Sequence, residues 1–464
     1  MRPWMKVSLL VLLVMGLCWG GAIWYWSETN RMPATQDLVL YLVALPLGVL
    51  LAFWLGRKAL AAIAAAPVGG AAATAAPTDS AVPAPAPSAA PLAILAGAIR
   101  TPFGASPDEL ASAMAEGKAR PELDASLVDE NGFPVMTARS DDADDASLQD
   151  EISEWFTQQG VHELELADEQ WRALALATGV VGDLAGTAAS ELIATDGKPP
   201  MFYLLPILPS DWSIEERRLA GLWLQHVGSQ AGWPLARISL AAELPAETRG
   251  ASPSAVLGRL AHQGSLSGLP LVGLVVAAAS NIGNASINQW EGNATLFAAA
   301  RPQGLIPGEG AAGLLLTDVR QALALDGPAF VTLHLEADAR RHNSADEAKK
   351  ADAKLLGTMV DKVLAAGPAE AETIAKLITD TGHRTSRVME LMELATTKLK
   401  DLDPEADILR LGGACGSCGA VPFVAALALA RHHVIELEAP VLCISNEDPY
   451  RRSAVLVRPA AALS

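Results

Sequence analysis

Residues 301–317, RPQGLIPGEGAAGLLLT, join a glycine-rich turn to a compact apolar run. Gly308 and Gly310 allow the backbone to turn sharply and to approach neighbouring segments closely. Residues 311–316 carry no charge and have the length of a strand, which predicts a strand buried in the core. The segment therefore marks a tightly packed part of the fold.

Short apolar strands alternate with amphipathic helices on both sides of this turn. The predicted strands of a first run are 92–99, 201–208, 235–240, 269–278 and 311–317, and its helices are 106–116, 213–232 and 254–263. A second run has strands at 330–335, 373–378, 408–411, 441–445 and 454–457, and helices at 344–366, 385–400 and 417–432. This alternation predicts an α/β fold with parallel strands covered by helices. Because each run ends in two adjacent strands, the order βαβαβαββ indicates an internal duplication.

The first 90 residues differ in composition from the rest of the chain. Residues 7–26 and 38–56 are uncharged apolar runs of bilayer length, which predicts a transmembrane helical hairpin over 1–60. A cleaved signal peptide is the alternative for the first run, but the second run so close behind it argues against cleavage. Basic residues before the first run and after the second put both ends in the cytoplasm. Residues 61–90 are nearly all Ala, Pro, Gly, Ser and Thr, which predicts a linker.

The predicted organisation is thus a hairpin at 1–60, a linker at 61–90, a first half at 91–325 and a second half at 326–464. A net charge of −18 argues against nucleic acid as a partner, because phosphate binding requires a basic face. Of the four cysteines, Cys18 falls in the first apolar run, and the other three cannot form an even set of disulfides. This indicates a reducing compartment.

Three motifs of the C-terminal part resemble the β-ketoacyl synthases, which have the duplicated thiolase-like fold. Residues 305–316, LIPGEGAAGLLL, are similar to the Gly-Glu-Gly turn and strand that close the first half in that family. Residues 412–430, GGACGSCGAVPFVAALALA, are similar to its G-H-x-x-G-A-A-G-A segment. Residues 443–457, CISNEDPYRRSAVLV, occupy the place of its final turn and strand. The resemblance implies a thiolase-like fold over about 91–459.

The catalytic groups that this resemblance implies are missing from the matching positions. The nucleophile turn falls at 241–254, yet no cysteine occurs between Cys18 and Cys415. The histidine of the G-H-x-x-G motif is replaced by Gly413, and His383 is offset from the place of the second histidine at 379–380. Ser252 or Ser254 could act as nucleophile, but the sequence shows no base beside either. We therefore expect a pseudo-enzyme without catalytic, cofactor-binding or metal-binding residues.

A second resemblance suggests a role that needs no catalysis. Two N-terminal apolar runs, the linker and residues 120–139, RPELDASLVDENGFPVMTAR, resemble the type VI secretion lipase-adaptor family. The positions that carry the resemblance are Arg120, Pro121, Leu123, Asp129, Gly132, Phe133 and Pro134. In that family, adaptors bind a phospholipase effector and deliver it to the spike protein of the secretion machine.

Several polar residues have both a functional and a structural interpretation. Cys415 and Cys418 could form a redox dithiol, or could bind zinc with Cys443 and one of His432 and His433; the alternative is that they are small side chains in a tight turn. Glu309 could act as a general acid, or could have a structural role in its turn.

The acidic loop 141–145 is interpreted as a solvated turn, and His432–His433 as a helix C-terminus. Arg451 and Arg452 are expected either to pair with the nearby Glu447 and Asp448 or to face a partner.

These observations lead to a preferred hypothesis and two alternatives. The preferred one is a membrane-anchored cytoplasmic adaptor or chaperone of the bacterial inner membrane that binds a lipase effector and the spike protein. The first alternative is an atypical acyl-transferring or condensing enzyme that uses Ser252, Ser254 or Cys415. A scaffold for lipid or polyketide enzymes is the second. Fold-level analogy also suggests a homodimer.

Overall fold

The computed structural model describes residues 91–161, 166–193, 199–240, 252–267, 270–325, 329–336, 338–347 and 352–460. The chain divides into two units, residues 1–84 and 85–464, and the described residues all belong to the second. The predicted transmembrane hairpin and the predicted linker lie outside the described residues.

The described residues form thirteen strands and eleven α-helices. The strands are β1 (Leu92–Arg100), β2 (Glu122–Val128), β3 (Pro134–Thr137), β4 (Phe202–Ile207), β5 (Ile238–Leu240), β6 (Val272–Ser280), β7 (Glu309–Asp318), β8 (Val331–Leu335), β9 (Ala339–Arg340), β10 (Lys376–Thr379), β11 (Ile408–Arg410), β12 (Val441–Ser445) and β13 (Arg451–Pro459). The helices are α1 (Pro107–Ala115), α2 (Ala146–Gln158), α3 (Asp168–Leu192), α4 (Ile214–Gln230), α5 (Pro253–Ser267), α6 (Asn284–Gly292), α7 (Val319–Leu323), α8 (Lys354–Ala366), α9 (Thr385–Lys398), α10 (Leu411–Cys415) and α11 (Val421–Leu437).

The strand order repeats between the two halves of the sheet. The first half runs β5-β4-β6-β7-β1 and the second runs β11-β10-β12-β13-β8. In each half the first three strands of this order are parallel, and the last two pair antiparallel. β1 and β8 pair antiparallel and join the halves into one sheet, with β9 added beside β13. The predicted α/β fold with repeated strand order agrees with this topology.

Helices cover both faces of each half-sheet because the strands are apolar on both sides. α3 and α4 pack on one face of the first half, and α8 and α9 pack on one face of the second. The remaining faces of both halves share one core with α5 and α11. β6 and β7 are buried along nearly their whole length, as expected for strands covered on both faces.

The structure corrects several predicted element bounds. The helix predicted at 344–366 begins only at Lys354. The helix predicted at 417–432 spans Val421–Leu437, because Gly416 and Gly419 have positive φ angles of 66° and 63° and keep the preceding residues out of the helix. Of the strand predicted at 235–240, only Ile238–Leu240 pairs, and a 3₁₀ turn takes up the rest.

α3, the longest described helix, is not among the elements predicted from the sequence. Among the described residues it is the one helix long and apolar enough to cross a membrane. It packs against β1, β6 and β7, and thirteen of its residues are buried. Its apolar composition is therefore explained by its place in the core.

Candidate functional site

The ends of β10, β11 and β12 bring several polar residues together around a buried carboxylate. Asp380 follows β10 and accepts hydrogen bonds from the backbone N–H groups of Asn446 (2.8 Å) and Glu447 (3.2 Å) and from the Ser445 hydroxyl. Burial raises the pKa of Asp380 to about 6. The hydroxyl of Thr381 donates to the Asn446 side chain over 2.6 Å, which ties the end of β10 to the end of β12. These contacts use Asp380 to hold two loops together.

Gly412 and Gly413 follow β11 and differ sharply in the space around them. A Cβ at Gly412 would lie 2.0 Å from the carbonyl oxygen of Asp380, so only glycine fits there. A Cβ at Gly413 would meet no atom within 4 Å. The backbone N–H of Gly413 donates to the Thr381 carbonyl over 3.1 Å. Gly412 is therefore required by packing, whereas the space beside Gly413 could hold a side chain.

His383 lies near the same strand ends but against an aromatic ring. Its imidazole packs edge-to-face on Phe297, with ring centroids 5.3 Å apart. Burial lowers the pKa of His383, which keeps the ring neutral near pH 7. Its Nε2 atom has no hydrogen-bond partner among the described residues. The structure therefore places His383 in a half-buried, uncharged position.

Glu309, in the turn that opens β7, is fully buried and fully hydrogen-bonded. Its carboxylate accepts from Arg172 Nη2 (2.6 Å) and Nε (2.8 Å), from the Ser280 hydroxyl (2.8 Å) and from the Ser140 N–H (2.7 Å). Arg172 comes from α3 and also contacts Asp144 of the acidic loop. These four bonds occupy the carboxylate oxygens, so the geometry favours a structural role over a general acid.

The turn around Gly308 packs directly against the turn before α11. A Cβ at Gly308 would lie 1.9 Å from the Cys415 carbonyl oxygen, so the two backbones are in contact. The N–H of Ser417 donates to the Ile306 carbonyl over 2.8 Å, and the Asn281 amide donates to the Ser417 carbonyl over 2.6 Å. The closing turn of the first half is thus fixed to the second half by backbone contacts.

Comparison with solved structures identifies this architecture. The chain superposes on the ketosynthase of module 6 of the bacillaene synthase from Bacillus subtilis 168 with a TM-score of 0.53 and 13% identity, covering 80% of this chain and 72% of that one. A structure of a type II polyketide synthase ketosynthase in complex with its acyl-carrier protein gives a TM-score of 0.55 at 12% identity, over 80% and 100% of the two chains. A β-ketoacyl synthase from Burkholderia phymatum STM815 gives 0.50 at 14% identity, again over 80% and 100%. The chain has the ketosynthase fold.

Comparisons at the level of sequence found no match. No protein-family model matches the chain. No curated protein matches it either. At 12–14% identity the ketosynthase fold is shared, and the chemistry must be judged from the residues of this chain.

The N-terminus of α5 is where the ketosynthase resemblance puts the nucleophile, and two serines lie there. Ser252 caps the helix by accepting from the Ala255 N–H (3.1 Å), and its hydroxyl contacts the Asp338 carboxylate. Asp338 also accepts from the Ser453 hydroxyl (2.6 Å). The contact between Ser252 and Asp338 was not evident from the sequence, because the two residues are 86 positions apart. Ser254 is buried and its hydroxyl has no partner among the described residues; residues 241–251 lie outside them.

The cysteines of the second half are buried thiols in the core. Burial raises the pKa of Cys415 to about 12 and raises those of Cys418 and Cys443 as well. The Cys418 Sγ contacts the Cys415 carbonyl at 3.5 Å, and the Cys443 Sγ contacts the Ala426 carbonyl at 3.6 Å. Within the described residues no group of three potential metal ligands includes a cysteine. These thiols have the properties of small core side chains and not of reactive nucleophiles.

Arg452 and its neighbours form a buried ion-pair network and not an exposed patch. Arg452 is fully buried and donates to Glu390 over 2.8 Å, and Arg341 donates to the same carboxylate over 2.9 Å. Glu447 instead pairs with Arg384 over 2.8 Å. The sequence proximity of Arg452 to Glu447 therefore did not identify its partner, because the β13 strand turns Arg452 toward α9.

Proposed function

We propose that this protein is a catalytically inactive relative of the ketosynthases that works as a binding protein. The observation that carries the proposal is the state of its thiols. Ketosynthase chemistry needs a cysteine thiolate, but the three described thiols are buried and their pKa values are raised. Gly413 stands where the resemblance puts a catalytic histidine, with open space and no imidazole.

The hairpin of β2 and β3 supports a binding role, because it is well formed yet displays apolar side chains. Asp129 accepts from the N–H groups of Asn131 (2.9 Å) and Phe133 (2.8 Å), and Gly132 has a φ of 80°, which together fix the turn. Leu123 and Phe133 are 66% and 67% exposed. Large apolar side chains held this firmly in solvent are typical of an interaction surface.

The specific function that we propose is that of an adaptor for a type VI secretion lipase. In this proposal the protein is anchored in the bacterial inner membrane by the segment 1–60, acts in the cytoplasm, and delivers the lipase to the spike protein. The hairpin residues Leu123, Asp129, Gly132 and Phe133 belong to the set that resembles the adaptor family. In this proposal the folded domain binds the lipase and catalyses no reaction.

Two experiments test the adaptor function. Tagged full-length protein should co-purify with a lipase effector of the secretion machine, and a deletion strain should stop exporting that lipase while keeping its other secreted effectors. Restoring the full-length gene should restore export. Unchanged lipase export in the deletion strain would contradict the proposal.

A second candidate function is acyl transfer at Ser252, favoured by its contact with Asp338. In this alternative the helix N-terminus of α5 would assist a serine nucleophile. Incubating the full-length protein with acyl-CoA and measuring its mass distinguishes the two functions. An acyl adduct that persists in Ser254→Ala but disappears in Ser252→Ala would support the enzyme; the binding-protein proposal predicts no adduct in any form.

A further inference from the structure

Two adjacent histidines and a glutamate converge at the C-terminal end of α11, outside the region considered above. His432 Nε2 lies 3.6 Å and His433 Nδ1 lies 3.3 Å from the same oxygen, Oε2 of Glu436. Asp108, from the first turn of α1, places an oxygen 3.9 Å from His432 Nε2. The cluster therefore joins two helices that are more than three hundred residues apart in sequence.

The spacing of these atoms suits a small divalent metal ion. In a tetrahedral zinc site with bonds of about 2.0–2.1 Å, neighbouring ligand atoms are roughly 3.3–3.5 Å apart. The two histidine–glutamate distances of 3.3 and 3.6 Å are close to that spacing. The side chain of Asp108 is 80% exposed, and its oxygen lies 3.9 Å from His432 Nε2, slightly beyond that spacing.

The two histidines of the cluster are more buried than its two carboxylates. His433 is buried, and its Nε2 atom has no partner among the described residues, so Nδ1 is the nitrogen that faces Glu436. His432 is half-buried, while the carboxylates of Glu436 and Asp108 reach solvent. An ion can therefore enter from solvent and meet the two imidazoles from the open side.

Local electrostatics also favour a cation at this place. The cluster includes Glu436, the penultimate residue of α11, where the helix carbonyls carry partial negative charge. The nearby cation that acts on His433 is Lys376, but its ammonium is held by the Ala406 carbonyl (3.1 Å) and Asp407 (3.4 Å). The two carboxylates of the cluster thus outweigh it.

We propose that His432, His433, Glu436 and Asp108 form a transition-metal site that fastens α1 to the end of α11. Imidazole nitrogen with carboxylate oxygen is a ligand set suited to Zn²⁺, Co²⁺ and Ni²⁺, whereas Mg²⁺ and Ca²⁺ prefer oxygen alone. With four ligands from the protein the site is structural. This inference is independent of the proposed adaptor function, because neither the hairpin nor the strand ends take part in it.

Titration of the full-length protein with Zn²⁺, after treatment with a chelator, tests the site. One tight equivalent of Zn²⁺ is expected, and Co²⁺ should give the visible absorption bands of a tetrahedral site. His432→Ala and Glu436→Gln should each lower the Zn²⁺ affinity by at least 10–100-fold, on the order of the loss caused by disturbing a zinc ligand shell. Asp108→Asn should weaken binding less, because the exposed Asp108 carboxylate lies farther from His432 Nε2 than Glu436 does, at 3.9 Å against 3.6 Å.

The matched control is His262→Ala, which removes an exposed histidine of α5 far from the cluster in sequence. It should leave both stoichiometry and affinity unchanged. Thermal unfolding in the presence of Zn²⁺ gives a second measurement, since an ion that binds only the folded state raises the midpoint in the parent protein and not in Glu436→Gln. Zn²⁺ affinity that is equal in the parent, His432→Ala and Glu436→Gln would overturn the proposal, as would the absence of a tight equivalent in the parent.

Discussion

At the residue scale, the most demanding position is Glu309, because a carboxylate without solvent contact must have all of its charge compensated. Arg172 supplies that compensation from α3, and its side chain is only 7% exposed. The pair contributes to the specific packing of β7 on α3 more than to net stability, since desolvation offsets much of its attraction. Breaking it is a different matter, because the buried guanidinium of Arg172 would keep only the exposed Asp144 as its counter-charge.

We therefore expect Glu309→Gln to lower the free energy of unfolding by about 3–5 kcal/mol. Urea unfolding followed by the fluorescence of buried Trp223 and Trp233 measures the loss. The double variant Arg172→Met/Glu309→Leu should recover part of it, because neither charge remains. The exposed Glu215→Gln serves as the control and should leave the midpoint nearly unchanged. Equal midpoints for Glu309→Gln and the parent would show that the ion pair is not needed for stability.

Asp380 makes stability depend on pH in a direction opposite to that of an ordinary salt-bridged carboxylate. Its folded pKa is raised from 3.8 to about 6, so between these values the folded state holds a proton that the unfolded state has lost. Stability from this group is present below pH 3.8 and is lost as the pH rises through 6. The difference corresponds to about 3 kcal/mol.

Asp380→Asn should remove this pH dependence, since the amide oxygen can still accept from Asn446 and Glu447 while its NH₂ faces Ser445. Between pH 4 and pH 7 the parent should lose about 2 kcal/mol relative to the variant, less than the full difference because the unfolded carboxyl is still partly protonated at pH 4. Parallel urea titrations by circular dichroism at pH 4, 5, 6 and 7 measure the difference, in which other titrating groups cancel. A difference that stays constant with pH would contradict the raised pKa.

At the element scale, the two adjacent glycines of α10 differ in whether packing requires glycine at their position. Gly412 packs on the Asp380 carbonyl, and Gly413 points a hydrogen into open space. Gly412→Ala should therefore destabilise by about 3 kcal/mol or more through a backbone clash. Gly413→Ala should be neutral or stabilise by up to about 1 kcal/mol, as alanine does in a helix. Thermal midpoints of the two variants test this contrast, and equal midpoints would refute it.

The elements predicted from the sequence are those marked by a local residue pattern. The elements that were missed owe their composition to tertiary packing. Apolar runs predicted β6 and β7, and the helix predicted at 213–232 agrees with α4, whose first turn contains a Ser213–Glu216 capping box. α3 was missed because it is apolar on most sides and because its N-cap residue, Ala167, has no side chain that can accept a hydrogen bond. A local sequence pattern indicates a helix best when one face of the helix is polar and its N-terminus has a capping residue.

The candidate site was predicted less well than the fold for the same reason. The Glu309 partner lies 137 residues away on the helix that was missed, and the Ser252 partner lies 86 residues away in a segment without regular pattern. Charge pairs of this kind are set by how strands and helices are stacked, which no local spacing encodes. The absence of a cysteine at the nucleophile turn needed no structure, because it is a fact of the sequence.

At the scale of the whole molecule, the two halves repeat one strand order but do not have separate cores. α11 belongs to the second half, yet it packs against β1 and β7 of the first as well as against β12 and β13. Most of its residues are buried, and the same core includes α5 of the first half. The two halves with the repeated strand order therefore share one core.

This shared core predicts that neither half folds alone. Separating the halves would expose the part of α11 that packs on β1 and β7; the buried residues of this helix include Phe423, Val424, Leu427, Leu429 and Val434. At about 1.5–3 kcal/mol for each buried side chain, that exposure rivals the 5–15 kcal/mol that stabilises an ordinary domain. Fragments 91–325 and 326–464 expressed separately should therefore lack cooperative thermal unfolding, and co-expression should restore a single transition and a complex of both. A fragment that unfolds cooperatively by itself would show that the halves are independent domains. In that case α5 and α11 would form only an interface between them.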